Sequence, residues 1–413
     1  MLPSDPALTV ESARVKTNRP RCPVCDAAMK KNGTTSKGTT RWRCTTCNAS
    51  SIRTTQATAV RAAEFRAFIN WATSTKPLDE VAAAQHVTAR TLQRRFTWCW
   101  YIQVPHTPDP HRIHDQIFID GTYLAGGCLL IAATATHVID WHWCRRETTA
   151  SYTKLLTGIA APILVTTDGG QGAQSAIKTL WPATTVQRCL VHVQRTVRRH
   201  TTSRPRTPAG TTLYRLALKL TRVTDLGEAA AWITRLHDFG TVYADYLNEK
   251  TAADPPTPGG RRWTWTHDRV RKAHNSLLTV YRRGHLFNYL TIAQTLTTSD
   301  DASPPILKPT TNTLEGGINA MIKNLARAHR GLTAEHQRTV IDWWLHSHTQ
   351  IPDDPVRIAG GQRWGQAALA KAQGLLAAED QSPSDDGRPA LYDTAIDSTY
   401  QHSMGVQKGW VGR

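Results

Sequence analysis

Twice the sequence drives an apolar, partly β-branched run straight into Asp-Gly. IFIDGTYL (117–124) carries Asp120, and ILVTTDGG (163–170) carries Asp168. A carboxylate at the end of a buried strand costs free energy unless something binds it. Two such groups brought to one sheet edge repel unless cations lie between them. Mg²⁺ or Mn²⁺ suits oxygen ligands of this kind. Two such ions roughly 4 Å apart are the arrangement used for in-line displacement at phosphorus. A third carboxylate should complete the site, and LEGGINAMIKNLARAHR (314–330) offers Glu315. Asn319 and Lys323 follow at i+4 and i+8 on the same helical face, placed to hold phosphate or a scissile strand.

A second constellation is made of thiols. Residues 22–47 contain C-x₂-C, an 18-residue spacer and another C-x₂-C. Cys22, Cys25, Cys44 and Cys47 supply four thiolates, enough to close a tetrahedral and therefore structural Zn²⁺ site. Asn32-Gly33 and Lys37-Gly38 in the spacer read as hairpin turns. Lys37, Arg41 and Arg43 lie around Trp42 and are expected to touch DNA. A second basic module follows in KPLDEVAAAQHVTARTLQRRFTWCW (76–100). It reads as two short helices, with Thr88 capping the second. Leu92 and Phe96 point inward, leaving Arg90, Gln93, Arg94 and Arg95 outward. This fits a helix-turn-helix presented to a major groove, although its turn lacks the frequent Gly.

The elements that must position the acids can be read along the chain. VPHTPDPHR (104–112) is a Pro-rich linker. Three β-like runs follow at 115–123, 127–135 and 137–144, close enough for an antiparallel meander. A helix over 148–160, a strand over 162–168, a helix over 171–181 and a strand within 184–193 continue the chain. The order β-β-β-α-β-α-β-α predicts a mixed α/β sheet. Residues 201–305 have helical periodicity, including the segment with Trp263 and Trp265, and read as a helical insertion. Leu314, Ile318, Met321 and Leu325 form the expected buried stripe of the helix over 314–330. Gly316 and Gly317 weaken its first turn or allow close backbone approach. A tail from 351, with one Ala-rich helix at 366–378, is expected to be loosely ordered.

This arrangement resembles the bacterial insertion-sequence transposases of the Mutator-like superfamily. The match lies in FIDGTY around Asp120, VTTDGG around Asp168 and NTLEGGINAMIK around Glu315. It is completed by a C-x-x-H signature, Cys189-Leu-Val-His192, between the second and third acids. The resemblance implies a ribonuclease-H-like core interrupted by an all-α insertion, preceded by a zinc ribbon and a helix-turn-helix. It implies a DDE-type site with Asp120, Asp168 and Glu315 on two Mg²⁺ or Mn²⁺ ions, and His192 near the scissile DNA. Cys189 could simply pack. The expected divisions are ribbon 1–52, helix-turn-helix region 60–103, core 112–200 and 306–350, insertion 201–305 and tail 351–413.

Lys and Arg number 50 against 32 Asp and Glu, a net charge of +18 that calls for a polyanionic partner. Double-stranded DNA, as terminal inverted repeats and target, is the expected partner. The reaction holds two ends together and so implies a homodimer or larger assembly. No apolar run reaches the length of a membrane span, and the N-terminus lacks the pattern of a signal peptide. A cytoplasmic, nucleoid-associated protein is expected. A P-loop lysine is missing from DGGQG, and no tyrosine- or serine-recombinase constellation stands out. Each acid alone has an ordinary explanation, as a turn Asp or a first-turn helical Glu. Asp115, Asp140 and Glu147 compete with them. His137, His142 and His200 read as surface or packing residues. The rival class is a DNA-binding protein without enzymatic activity, a regulator or a transposase remnant, which does not explain three ordered acids.

Overall fold

The computed structural model describes residues 19–22, 24–124, 127–252, 262–297, 305–366 and 368–371. The expectations for the tail beyond 371 lie outside these residues. The chain divides into two compact units. One takes the residues up to Asn70, then Ala82–Ile102 and those from Asp354; the other takes Trp71–Val81 and Gln103–Asp353.

The first unit opens with an antiparallel sheet of β1 (Met29–Thr34), β2 (Thr40–Cys44) and β3 (Ser50–Ile52). Lys37-Gly38 forms the β1–β2 turn, with Gly38 at φ 76°. Asn32-Gly33 is instead part of β1, where the pairing register shifts between Lys31 and Thr34. Gly33 takes φ 77°, so this dipeptide makes a bulge rather than a turn. Helices α1 (Arg53–Ala72), α2 (Leu78–Ala84) and α3 (Ala89–Phe96) follow, the end of α1 and the start of α2 belonging to the second unit. Thr88 caps α3 by accepting the N–H of Thr91. His86 supplies the left-handed residue of the α2–α3 turn, at φ 53°, where a Gly is frequent. Leu92 and Phe96 are buried, and Phe68 meets Phe96 edge-on at 5.5 Å.

The second unit is built on five strands. β4 (Gln116–Leu124), β5 (Gly127–Ala133) and β6 (Val138–Cys144) are the antiparallel meander. Helix α4 (Thr149–Leu156) leads to β7 (Leu164–Thr167), and α5 (Gln171–Leu180) leads to β8 (Thr185–Arg188). β7 runs parallel to both β4 and β8, giving the order β6-β5-β4-β7-β8. The mixed α/β sheet expected from sequence is therefore present. Alternation fixes its faces. Ile117, Ile119 and Val165 join Tyr152, Leu155, Ile177 and Trp181 in one core. Leu164 joins the other, with Leu190, Val193 and Val197 of α6 (Leu190–Thr201).

That second core continues through α7 (Pro208–Leu220), α8 (Leu226–Val242), α9 (Ala244–Asn248), α10 (Asp268–Arg282) and α11 (Asn288–Thr295). Trp232, Leu236, Leu277 and Leu286 are among its buried residues. Residues 201–305, expected to be an all-helical insertion, are not purely helical. β9 (Lys250–Ala252) and β10 (Trp263–Trp265) pair antiparallel within them. Trp263 and Trp265 are thus half-exposed strand residues, with Lys250 stacked against both rings.

The predicted helix over 314–330 begins differently from the pattern. Thr313–Ile318 form a π-helical turn, and α12 (Asn319–Ala328) continues from it. The wider turn shifts the register by one residue. Leu314 and Asn319, five apart, are buried, followed by Ile322 and Leu325. Met321 of the expected stripe is 54% exposed. A Cβ on Gly316 or Gly317 would meet nothing within 4 Å, so these glycines loosen the first turn without any close approach. α13 (Ala334–Ser347) lies on β6, where Asp342 accepts the indole N–H groups of Trp141 and Trp143, each at 2.8 Å. Within the expected tail, α14 (Pro355–Gly361) is ordered helix in the first unit, and Trp364 meets Trp98 edge-on.

Candidate active site

Asp120 sits within β4 and Asp168 directly after β7, the parallel neighbour of β4. Glu315 lies on the π-helical turn, which contacts β4. The third acid reaches this place because the chain just before it, from Lys308 to Thr311, is tied back to the sheet and to the start of α6. Gln116 on β4 donates to the carbonyl of Lys308 at 2.7 Å and accepts its N–H at 2.8 Å. Leu190 N–H donates to the carbonyl of Pro309. Thr311, buried, then gives its N–H to Cys189 Sγ at 3.3 Å, with its hydroxyl 3.3 Å from the same sulfur.

The three carboxylates act on one another. Burial, followed by the charges of Asp168 and Glu315, pushes the Asp120 carboxyl up to about 7. Asn319 holds it by donating its amide to Asp120 Oδ2 at 2.8 Å. Asp168 Oδ1 accepts the N–H of Gly170, the residue that opens α5, at 2.8 Å. Between them Gly169 takes φ 88°. A Cβ there would collide with the Arg188 guanidinium, which donates to the Gly169 carbonyl.

Glu315 is the most compensated of the three. Oε2 receives Arg195 at 2.9 Å, and Oε1 receives Thr311 Oγ1 at 3.1 Å. His192 Nδ1 lies 3.4 Å from Oε1. Burial raises the Glu315 carboxyl, but Arg195 and His192 outweigh it and leave it below the usual range. His192 is raised, first by its interaction with Cys189. Asn319 Oδ1 and His192 Nδ1 are buried and have no hydrogen-bond partner among the described residues.

The competing acids are occupied elsewhere. Asp140 pairs with His106 Nδ1 at 2.9 Å. Glu147 accepts the Tyr152 hydroxyl at 2.9 Å and lies against Gly121, on the β4 face opposite Asp120. Asp115 precedes β4 and accepts the Leu164 N–H through its backbone carbonyl. Of the expected DNA contacts, Lys37, Arg41, Arg43, Arg90, Arg94, Arg95 and Lys323 are all exposed. Asn319 differs from these in being buried, with its amide donating to Asp120. Sequence reading missed Arg195, Thr311 and Gln116. Only Arg195 carried a local signal, three residues after His192 on one helical face.

The four thiols of the first unit form a separate cluster, all within 4.8 Å of one another. Cys22 and Cys47, Cys25 and Cys44, and Cys25 and Cys47 are each 3.4 Å apart. Tetrahedral Zn²⁺ with bonds of about 2.3 Å separates its sulfurs by about 3.8 Å. Backbone N–H groups of Thr46 and Cys47 point at Cys44 Sγ, favouring its thiolate. The donor set and spacing fit a zinc ribbon.

Residues 138–239 match the family model described as Transposase, Mutator family. Over these residues the chain is similar to Mutator-family transposases. The matched stretch runs from β6 into α8 and contains Asp168, Cys189 and His192. Asp120 and Glu315 lie outside it, and the fold brings them to the transposase segment. No curated protein matches the chain. Among the described residues no helix is long and apolar enough to cross a membrane.

Proposed function

We propose that the chain is a DDE-type DNA transposase with a ribonuclease-H-like core. The observation that carries this reading is the convergence of Asp120, Asp168 and Glu315 on a domain that matches transposases. The strand order, with three antiparallel strands followed by two parallel ones, supports the core assignment. Three neighbouring carboxylates, with Asp120 raised by burial and by the charges of the other two, fit hard divalent ions. Two Mg²⁺ or Mn²⁺ ions would supply Lewis-acid stabilisation and a more acidic attacking water.

The chain's own residues do the positioning. Asn319 fixes the Asp120 carboxylate, and Gly170 N–H fixes that of Asp168. Arg195, exposed beside Glu315, is placed to meet a phosphate oxygen. His192 lies between Glu315 and Cys189, within reach of the scissile strand. Water cleaves a phosphodiester at the element end and exposes a 3′-hydroxyl. That hydroxyl then attacks phosphorus in target DNA, exchanging one ester for another, so no nucleotide cofactor is consumed. Position and charge stabilisation lower the barrier. The ribbon and the α2–α3 pair, acting as a helix-turn-helix, read the terminal inverted repeats, and two copies or more hold the paired ends.

The test is cleavage of labelled DNA carrying candidate element ends, with Mg²⁺, Mn²⁺ or EDTA. Metal-dependent nicking at the end, lost in Asp120→Ala, Asp168→Ala and Glu315→Ala with DNA binding kept, is the expected result. Binding without nicking in any metal by folded, zinc-loaded protein would favour a regulator or an inactive remnant.

A further inference from the structure

The C-x-x-H pair is not alone. Cys189, His192 and Glu315 place one ligand atom each within 4.8 Å of one another. Cys189 follows β8 and sits at the N-cap position of α6, and His192 lies in the first turn of α6. Glu315 arrives from the π-helical turn. The geometry points to a second soft-metal site, in which Zn²⁺ is held by Cys189 Sγ, His192 Nδ1 and Glu315 Oε1.

Three independent features favour this ligand set. His192 Nδ1 is buried and has no hydrogen-bond partner among the described residues, so the nitrogen facing Glu315 is open to a metal. Thr311 aims its N–H at Cys189 Sγ and holds its hydroxyl between that sulfur and Glu315 Oε1, an arrangement that stabilises a thiolate and orients both ligands. The two oxygens of Glu315 are divided, with Oε2 on Arg195 and Oε1 between His192 and the Thr311 hydroxyl, so Oε1 can bind without breaking the Arg195 contact. Thiolate and imidazole select Zn²⁺ over Mg²⁺, whereas carboxylates alone do not. Three protein ligands with an open fourth position is a stable zinc arrangement.

The consequence rests on the transposase reading, because Glu315 is shared. Zn²⁺ at this site withholds Glu315 from the hard-metal centre. Micromolar Zn²⁺ therefore opposes Mg²⁺-supported cleavage by occupying a neighbouring site, rather than by replacing Mg²⁺ among the aspartates.

The experiment uses the full chain with its ribbon already loaded with Zn²⁺. Co²⁺ is titrated in and followed by absorption, and bound metal is counted by mass spectrometry after equilibrium dialysis. A further equivalent of Co²⁺ with a thiolate-to-cobalt charge-transfer band is expected. Cys189→Ser should abolish the band, and His192→Gln should abolish tight binding. Thr311→Val, which keeps the shape and removes the O–H donor, should weaken binding by about 10–100-fold. Asp168→Asn should leave the band unchanged. The ribbon variant Cys25→Ser should lose a different equivalent, keeping the two sites distinct. Folding of each variant is checked by its melting curve, and His192→Gln decides if Cys189→Ser does not fold. Absence of the further equivalent in the folded wild type overturns the proposal, as does a band that survives both substitutions. Neither result bears on cleavage, so failure of the zinc site and failure of the transposase reading are seen separately.

Discussion

Asn319 donates its side-chain amide to Asp120 across 199 residues of sequence, at 2.8 Å. The bond exists because the π-helical turn before α12 rotates Asn319 inward. A hydrogen bond to a charged group is worth about 1.5–3 kcal/mol. Asn319→Ala should therefore slow single-turnover nicking by about 10-fold or more, with duplex binding unchanged. Asn319→Asp should be worse, since it adds a carboxylate beside one already hard to ionise. Nicking at wild-type rate in either variant would remove Asn319 from the positioning of Asp120.

Gly169 holds φ 88°, with the Arg188 guanidinium in the space of its missing side chain. Gly169→Ala must strain the backbone and move Arg188. A cost of about 1–3 kcal/mol in stability is expected, with a larger proportional loss of nicking because Asp168 is adjacent. Arg188→Ala in the same background should recover part of the stability by emptying the space. Thermal melting of the single and double variants checks both statements.

Arg90, Arg94 and Arg95 are exposed on α3, whose opposite side buries Leu92 and Phe96. If these arginines meet phosphates, each alanine substitution should lower the slope of log affinity against log salt by about 0.9. An arginine that reads a base edge should instead relax sequence preference at one position. Titrations at several salt concentrations, with specific and random duplexes, separate these roles. Unchanged affinity and slope in the triple variant would remove α3 from the DNA interface.

His106 is raised above its ordinary value of 6.5, chiefly by its hydrogen bond to Asp140. Its contribution to stability is complete below about pH 6.5 and fades as pH rises through the raised value. The melting-temperature gap between wild type and His106→Asn should be largest at acid pH and shrink towards pH 8. His114, His137 and His142 are lowered, mainly by burial, and pull stability the opposite way. The difference between the two proteins isolates His106 from that background. A gap that is constant with pH would show that the pair is held by packing alone.

Features written in short segments could be read from sequence. The strand runs into Asp120 and Asp168, the α4 and α5 periodicities and the paired C-x₂-C spacings depend on neighbours a few positions apart. Chain order then dictated a mixed α/β sheet. Local pattern also misled where local rules were broken by one residue. The 314, 318, 321, 325 stripe assumed α-helical spacing, and the π turn moved burial from Met321 to Ile322 and brought Asn319 inward. Asn32-Gly33 kept its positive φ but spent it on a bulge, because Lys37-Gly38 made the turn. Trp263 and Trp265 looked helical within a helical region, yet they pair with β9, a partner that no periodicity announces. The surroundings of the acids were decided by tertiary structure alone. Gln116 with Lys308, Thr311 with Cys189 and Arg195 with Glu315 join residues 192, 122 and 120 positions apart. Such ties form only once the insertion has folded and returned the chain to the sheet. The sequence by itself determined which groups could do chemistry. Packing determined which of them share a site.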